Sequence, residues 1–198
     1  MPRPLCSDCS YPLSTCVCEF VSPCSHNIKL IVLQDPKENQ HPKNTVRLMQ
    51  LCSNNIEVII GETPSDFSSL ISQIETAPKS FALLYPSESA VTLPNIDETA
   101  NNILTLILID GTWRKAKKLY LKNPWLNQIV HFKLEDLCGD YTIRKTSVEA
   151  GMSTLEAAAE SLRILDGANT EPMLKLQRGL AEKFTQQMPE NVKQRYRK

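Results

Sequence analysis

At 198 residues and 41% hydrophobic content, the chain is long enough for one well-filled core with a small appendage. It has no apolar run near the roughly 18 residues of a membrane span, and MPRPLCSDCS lacks the apolar region of a secretory signal, so a cytoplasmic protein with no membrane partner is expected. The formal net charge of +0 by itself argues against a nucleic-acid partner, but residues 1–109 hold 6 Lys/Arg and 11 Asp/Glu, net −5, whereas residues 110–198 hold 16 and 11, net +5.

The first unit in chain order is Cys6-x2-Cys9-x6-Cys16-x-Cys18. Four thiolates in so short a segment suit a structural zinc ion, and a segment of this size cannot bury a core without such a staple. Residues 1–25 are therefore expected to be a zinc-binding segment and 26–198 the main folded domain. His26 is an alternative fourth ligand, while Cys24, Cys52 and Cys138 read as small apolar groups. Next come a strand at 28–34, a polar loop, and a helix capped by Asn44 or Thr45 and running through Cys52. A strand at 57–61, a helix at 66–74 and strands at 81–86 and 104–110 follow, then a helix from Trp113, a strand at 129–134 and a helix from Ser153 to Leu165. Pro172 opens a last charged helix. Alternating strands and helices predict an α/β fold with a mostly parallel sheet, helices on both faces and ligand loops at the carboxyl ends of the strands.

Two places concentrate chemistry. In LILIDGTWRKAKKLY, an apolar strand delivers Asp110 to its carboxyl end, Gly111 permits a tight turn and Thr112 caps a helix. On that helix Trp113, Ala116 and Tyr120 share one face, while Arg114, Lys117 and Lys118 share another with Lys115 beside them. That second face is either a phosphate-binding patch or a solvated one. In SVEAGMSTLEAAAE, Ser153 and Glu156 form a capping box whose free amides suit an anion, although the box alone is explained as structure. No GxGxxG, GxxxxGK[ST] or HExxH motif is present, and with three histidines a Ser-His-Asp hydrolase is not expected.

Cys6-x2-Cys9-x6-Cys16-x-Cys18, Pro42-Lys43-Asn44-Thr45, Leu84-Tyr85-Pro86, Asp110-Gly111-Thr112-Trp113, Tyr141-x-Ile143-Arg144-Lys145 and Ser153-Thr154-Leu155-Glu156-Ala157 occur in order across residues 6–165. As a set they resemble the DTW-domain family, the tRNA-uridine aminocarboxypropyltransferases. The resemblance implies a SPOUT-like sheet with flanking helices and a C-terminal knotted region that binds S-adenosylmethionine, although base rates of chain topology run against a knot. It also implies transfer of the 3-amino-3-carboxypropyl group of S-adenosylmethionine to N3 of a tRNA uridine in the variable loop or D-loop, releasing methylthioadenosine. Asp110 is then the candidate general base or the group that orients N3–H, with Trp113 packing the site or stacking on the base. Cofactor contacts fall at Leu84, Tyr85, Pro86, Ile109, Gly111, Thr112, Ile143, Ser153 and Thr154. RNA contacts fall at Lys43, Asn44, Arg47, Arg114, Lys115, Lys117, Lys118, Arg144 and Lys145, with zinc on Cys6, Cys9, Cys16 and Cys18. The chain departs from the family pattern at Asp35, where relatives more often carry His, so no role is carried to that side chain. Two rival readings are a SPOUT-type RNA methyltransferase and a zinc-containing RNA-binding module without catalysis. The choice between monomer and homodimer stays open.

Overall fold

The computed structural model describes residues 4–39, 41, 43–93, 102–135 and 151–189. Cys138 and the segment 141–145, with Ile143, Arg144 and Lys145, lie outside the described residues. Six strands are present: β1 (Lys29–Gln34), β2 (Ile56–Ile60), β3 (Phe81–Leu84), β4 (Val91–Leu93), β5 (Thr105–Asp110) and β6 (Val130–Leu134). They form one sheet in the order β2-β1-β5-β3-β6-β4, and every pairing in it is parallel. The helices are α1 (Val46–Cys52), α2 (Ser68–Thr76), α3 (Trp113–Lys122), α4 (Thr154–Asp166) and α5 (Glu171–Gln186). All the expected strands and helices are found within a few residues, and β4 is additional.

The central strands are apolar on both sides because both faces are covered, as parallel sheets require. In β1, Leu30 and Val32 face a core built from α1, α4 and α5, with Leu48, Met49, Leu155, Leu162 and Leu176. Ile31 and Leu33 point the other way, into a core with α2 and α3 that includes Phe67, Leu70, Ile74 and Leu119. Each such fully buried aliphatic side chain contributes about 1.5–3 kcal/mol of transfer free energy. The cysteine segment joins the first of these cores through Tyr11, Val17 and Cys24. Gly179 on α5 carries no side chain because the Phe20 ring occupies the space a Cβ would need. Cys24 and Cys52 are buried among apolar groups, as expected for thiols without a ligand role. Among the described residues no helix is long and apolar enough to cross a membrane.

The consequence for function lies in the strand order. β5 enters late in the chain yet sits between β1 and β3, so the chain leaves β1 toward β2 on one side while β3 and β6 lie on the other. The crevice outside the carboxyl ends of β1 and β5 is therefore a topological switch point, where open α/β sheets bind ligands.

Candidate active site

Parallel register aligns Gln34, the last residue of β1, with Asp110, the last of β5. Asp110 is 1% exposed, so its carboxylate needs compensation from fixed donors. Three provide it. Gln34 Nε2 donates to Oδ2 at 2.9 Å, Asn44 Nδ2 donates to the same oxygen at 2.7 Å, and Thr154 Oγ1 donates to Oδ1 at 2.6 Å. One side chain thus ties together β1, the turn before α1, β5 and the start of α4. Gln34 was not among the candidate residues predicted from sequence. The signal was its position at the end of a strand parallel to the one ending in Asp110, which only strand order reveals.

Beyond Asp110, Gly111 adopts φ +145°, and a Cβ there would stand 3.2 Å from Lys115 Cβ, so glycine is required for α3 to begin at once. Thr112 caps the helix by accepting from the Lys115 amide at 3.4 Å, as expected. The face assignments differ from expectation. The buried residues of α3 are Ala116 and Leu119, while Trp113 in the first turn is 49% exposed and presents its indole to solvent. The basic residues also divide. Lys115 turns inward and pairs with Glu38 at 2.9 Å and Asp35 at 3.6 Å, and the hydrogen bond from Glu38 raises its pKa above the usual lysine value. Lys118 pairs with Glu62 at 3.2 Å, sharing that carboxylate with Lys122 at 2.8 Å. Arg114 and Lys117 are exposed and make no ion pair among the described residues. Asp35 and Glu38, both buried, thus hold Lys115 at the end of β1.

On the β3 side of Asp110 lie Leu84, Tyr85 and Pro86, with Ile109 half-buried on β5. The Tyr85 ring stacks on Tyr120 of α3 at 4.3 Å and 20°. The capping box at the start of α4 is complete: Glu156 Oε2 accepts from the Ser153 amide at 2.7 Å, and Ser153 Oγ accepts from the Glu156 amide at 3.2 Å. Gln177 Nε2 of α5 also donates to Ser153 Oγ at 3.0 Å. The Ser153 amide is thereby occupied internally, and the Thr154 amide has no partner among the described residues. On the opposite, β1 side, the Lys43 ammonium lies 5.8 Å from the centre of the Phe184 ring of α5.

The four predicted thiols converge, with all their sulfur atoms within 4.8 Å of one another. The Cys6–Cys18 and Cys9–Cys16 separations are 3.6 and 3.8 Å. Tetrahedral zinc with bonds of about 2.3 Å separates its sulfurs by about 3.8 Å, so the donor set fits the ion. Backbone amides of Cys9 and then Asp8 pull the Cys6 thiol down to about 6, while hydrogen bonds among the clustered thiols, that with Cys16 first, push Cys18 above the usual value. Ser10 takes a left-handed conformation, φ 57°, in the turn after Cys9. His26 is engaged elsewhere: Nδ1 donates to the Ile28 carbonyl at 2.7 Å and Nε2 accepts from Ser53 Oγ at 2.8 Å, so it does not complete this set. The thiol cluster connects to the switch point. Tyr11 Oη donates to the Asn44 carbonyl at 3.3 Å, and the Arg47 guanidinium donates to the Ser10 carbonyl at 3.5 Å while lying 5.0 Å from the Tyr11 ring centre.

Comparison with known proteins agrees with the motif order. The model of the DTW domain matches residues 3–188. A Drosophila melanogaster protein named tRNA-uridine aminocarboxypropyltransferase 2 is 32% identical over 175 residues, 83% of this chain and 67% of its own length. Its Mus musculus namesake is 32% identical over 173 residues, 84% of this chain and 58% of its own. An Arabidopsis thaliana protein named tRNA-uridine aminocarboxypropyltransferase A is 28% identical over 132 residues, 59% of this chain and 50% of its own. The chain thus spans between half and two thirds of the length of these relatives. No solved structure matches it. With the family model covering nearly all of the sequence and a relative 32% identical along most of it, the chain belongs to the DTW-domain family.

Proposed function

We propose that the protein transfers the 3-amino-3-carboxypropyl group of S-adenosylmethionine to N3 of an unpaired uridine in the variable loop or D-loop of tRNA, releasing methylthioadenosine. The names of the relatives support aminocarboxypropyl transfer to a tRNA uridine, and the convergence of four chain segments on Asp110 is the observation that supports placing it here. The sulfonium of the donor activates three carbons, so the outcome depends on which one is held in line with N3, a positioning task.

Asp110 divides the site between the two substrates. The loops after β3 and β5 and the start of α4, with Leu84, Tyr85, Pro86, Ile109, Gly111, Thr112, Ser153 and Thr154, flank it on the side we assign to the donor; Ile143 completes that assignment from outside the described residues. Lys43, Asn44 and Arg47 flank it on the side assigned to RNA, with Arg144 and Lys145 again outside the described residues. Both carboxylate oxygens are already engaged, which favours the orienting role for Asp110 over the role of proton acceptor. Trp113 stands exposed at the mouth and stacks on a base, while Arg114 and Lys117 hold phosphate. Residues 1–25 form a metal-binding segment that precedes a catalytic unit spanning 26–198, with zinc on Cys6, Cys9, Cys16 and Cys18 holding Tyr11 under Asn44. A SPOUT-like chain path, knotted in its C-terminal region and set in a cytoplasmic enzyme, completes the proposal; the late insertion of β5 and the return of α4 to its carboxyl end support that path.

The test is incubation with S-adenosylmethionine and an unmodified tRNA transcript, followed by nucleoside mass spectrometry. Equal amounts of aminocarboxypropyluridine and methylthioadenosine are expected. A methylated nucleoside with S-adenosylhomocysteine would replace this reading by methyl transfer.

A further inference from the structure

A cavity of about 230 Å³ opens at the carboxyl ends of β1 and β2 beside α1, on the flank of Asp110 opposite Thr154. Its volume falls below the roughly 300 Å³ at which pockets begin to enclose a drug-sized ligand, so it suits one ring rather than a whole cofactor. Val58 and Ile60 give it apolar surface, and Gln34, Asn39, Arg47 and Gln50 give it polar edges. None of its lining residues is acidic, which argues against a metal ion. Its one cation, Arg47, is already anchored on Ser10 and the Tyr11 ring, which argues against a bare phosphate.

Gln34 carries the most specific information. It is 2% exposed, and a carboxylate only accepts hydrogen bonds, so the bond to Asp110 fixes which end of the amide is NH2. The opposite end, Oε1, has no partner among the described residues. A buried acceptor of fixed orientation therefore borders the cavity. Asn44 lines it too, but Asp110 takes one N–H of its Nδ2 and the Val46 amide donates to its Oδ1 at 2.9 Å, so both ends of its amide are already engaged.

We propose that this cavity seats an unpaired uracil ring of the RNA substrate. In the recognition complex, before the ring turns N3 toward the donor, Gln34 Oε1 accepts from the ring N3–H, Gln50, Asn39 and Arg47 donate to the ring carbonyls, and Val58 and Ile60 cover a ring face. Cytosine is disfavoured because its N3 is an acceptor and would face the fixed oxygen. Asp110 is then a positioning residue for base selection, acting through Gln34. The inference rests on the RNA-modifying reading and names how that site selects its base.

Fluorescence anisotropy with decamers of uridine and of cytidine tests it on the full chain. The wild-type protein binds the uridine decamer at least tenfold more tightly. Gln50→Trp and, separately, Asn39→Trp, both at exposed positions of the lining, close the cavity without disturbing the Asp110 cluster. Each is expected to weaken uridine binding at least tenfold and abolish the preference, with S-adenosylmethionine affinity by calorimetry within twofold of wild type. Equal binding of the two decamers by wild type, or undiminished uridine preference in both folded variants, overturns the proposal. So does loss of S-adenosylmethionine binding with retained RNA binding, which would assign the cavity to the donor. Failure of the aminocarboxypropyl reading would instead appear as absent product with wild-type protein, whatever the decamers show.

Discussion

Removing the Asp110 carboxylate in two ways separates its structural load from its role in transfer. Asp110→Ala strands three donors, Gln34 Nε2 and Asn44 Nδ2, which are buried, and Thr154 Oγ1, which is half-buried. An unpaired buried donor costs about 1–3 kcal/mol, and with one water entering the gap the total comes to about 3–5 kcal/mol. That is a large part of the 5–15 kcal/mol typical of a domain, and at about 2–4 °C per kcal/mol the unfolding midpoint drops by roughly 10 °C. Asp110→Asn keeps the shape. Its carbonyl oxygen accepts from both amides and its NH2 donates to Thr154 Oγ1, so only charge assistance is lost, about 1–2 kcal/mol. Urea unfolding at pH 7 measures both, and product formation from tRNA should be lost in the Ala variant and lowered in the folded Asn variant, where only the charge is missing. If Asp110→Ala lies within 1 kcal/mol of wild type, the three bonds do not hold the site together. If Asp110→Asn turns over at the wild-type rate, the negative charge has no part in the reaction.

Tyr11→Phe should cost about 1 kcal/mol at neutral pH by freeing the Asn44 carbonyl. Burial pushes the Tyr11 hydroxyl up to about 12 from the usual 10, so its neutral form stabilises the fold below pH 10 and that contribution, about 2–3 kcal/mol, is lost as pH rises toward 12. The Phe variant should lack this alkaline decline in thermal scans, and a decline of the same size in both would clear Tyr11. Chelation of the metal should expose four reactive thiols to a colorimetric thiol reagent and lower the unfolding midpoint, whereas unchanged stability would make the thiol cluster dispensable. Replacing Arg114 and Lys117 together with Gln should reduce the salt dependence of tRNA binding by about 1.5 in log–log slope with little change in stability. Lys115→Met should do the reverse, since it leaves Glu38 and Asp35 buried without their cation.

What was legible in the sequence follows the range of the interactions. The Thr112 cap and the Ser153–Glu156 box are written within four residues of chain, so they were readable and the structure holds both. Both-sided apolar runs announced the parallel strands. β4 was not readable because three residues with an exposed Val91 carry no alternation, and it forms only by pairing with β6. The inward turn of Lys115 was not readable either, because its partner Glu38 lies 77 residues away and the local pattern places it among lysines. The same holds for Gln34, whose role exists only once β1 and β5 are adjacent.

The charge division seen in the sequence acquires a different meaning in the fold. The acidic first half and basic second half are not two separate fields, because Glu38 takes Lys115 and Glu62 takes Lys118 and Lys122 across the segments. Hydrogen bonds from Lys122 and then Lys118 hold the Glu62 carboxyl below the usual carboxylate range. Along α3, Arg114 and Lys117 make no ion pair among the described residues, and on the proposed reading they are the ones that meet phosphate. Contacts to the phosphate backbone carry no sequence information. On the proposed reading, selection comes from the shape of an unpaired loop and from the edge of the base, and the Gln34 acceptor, set by the buried carboxylate of Asp110, is the group proposed to read that edge.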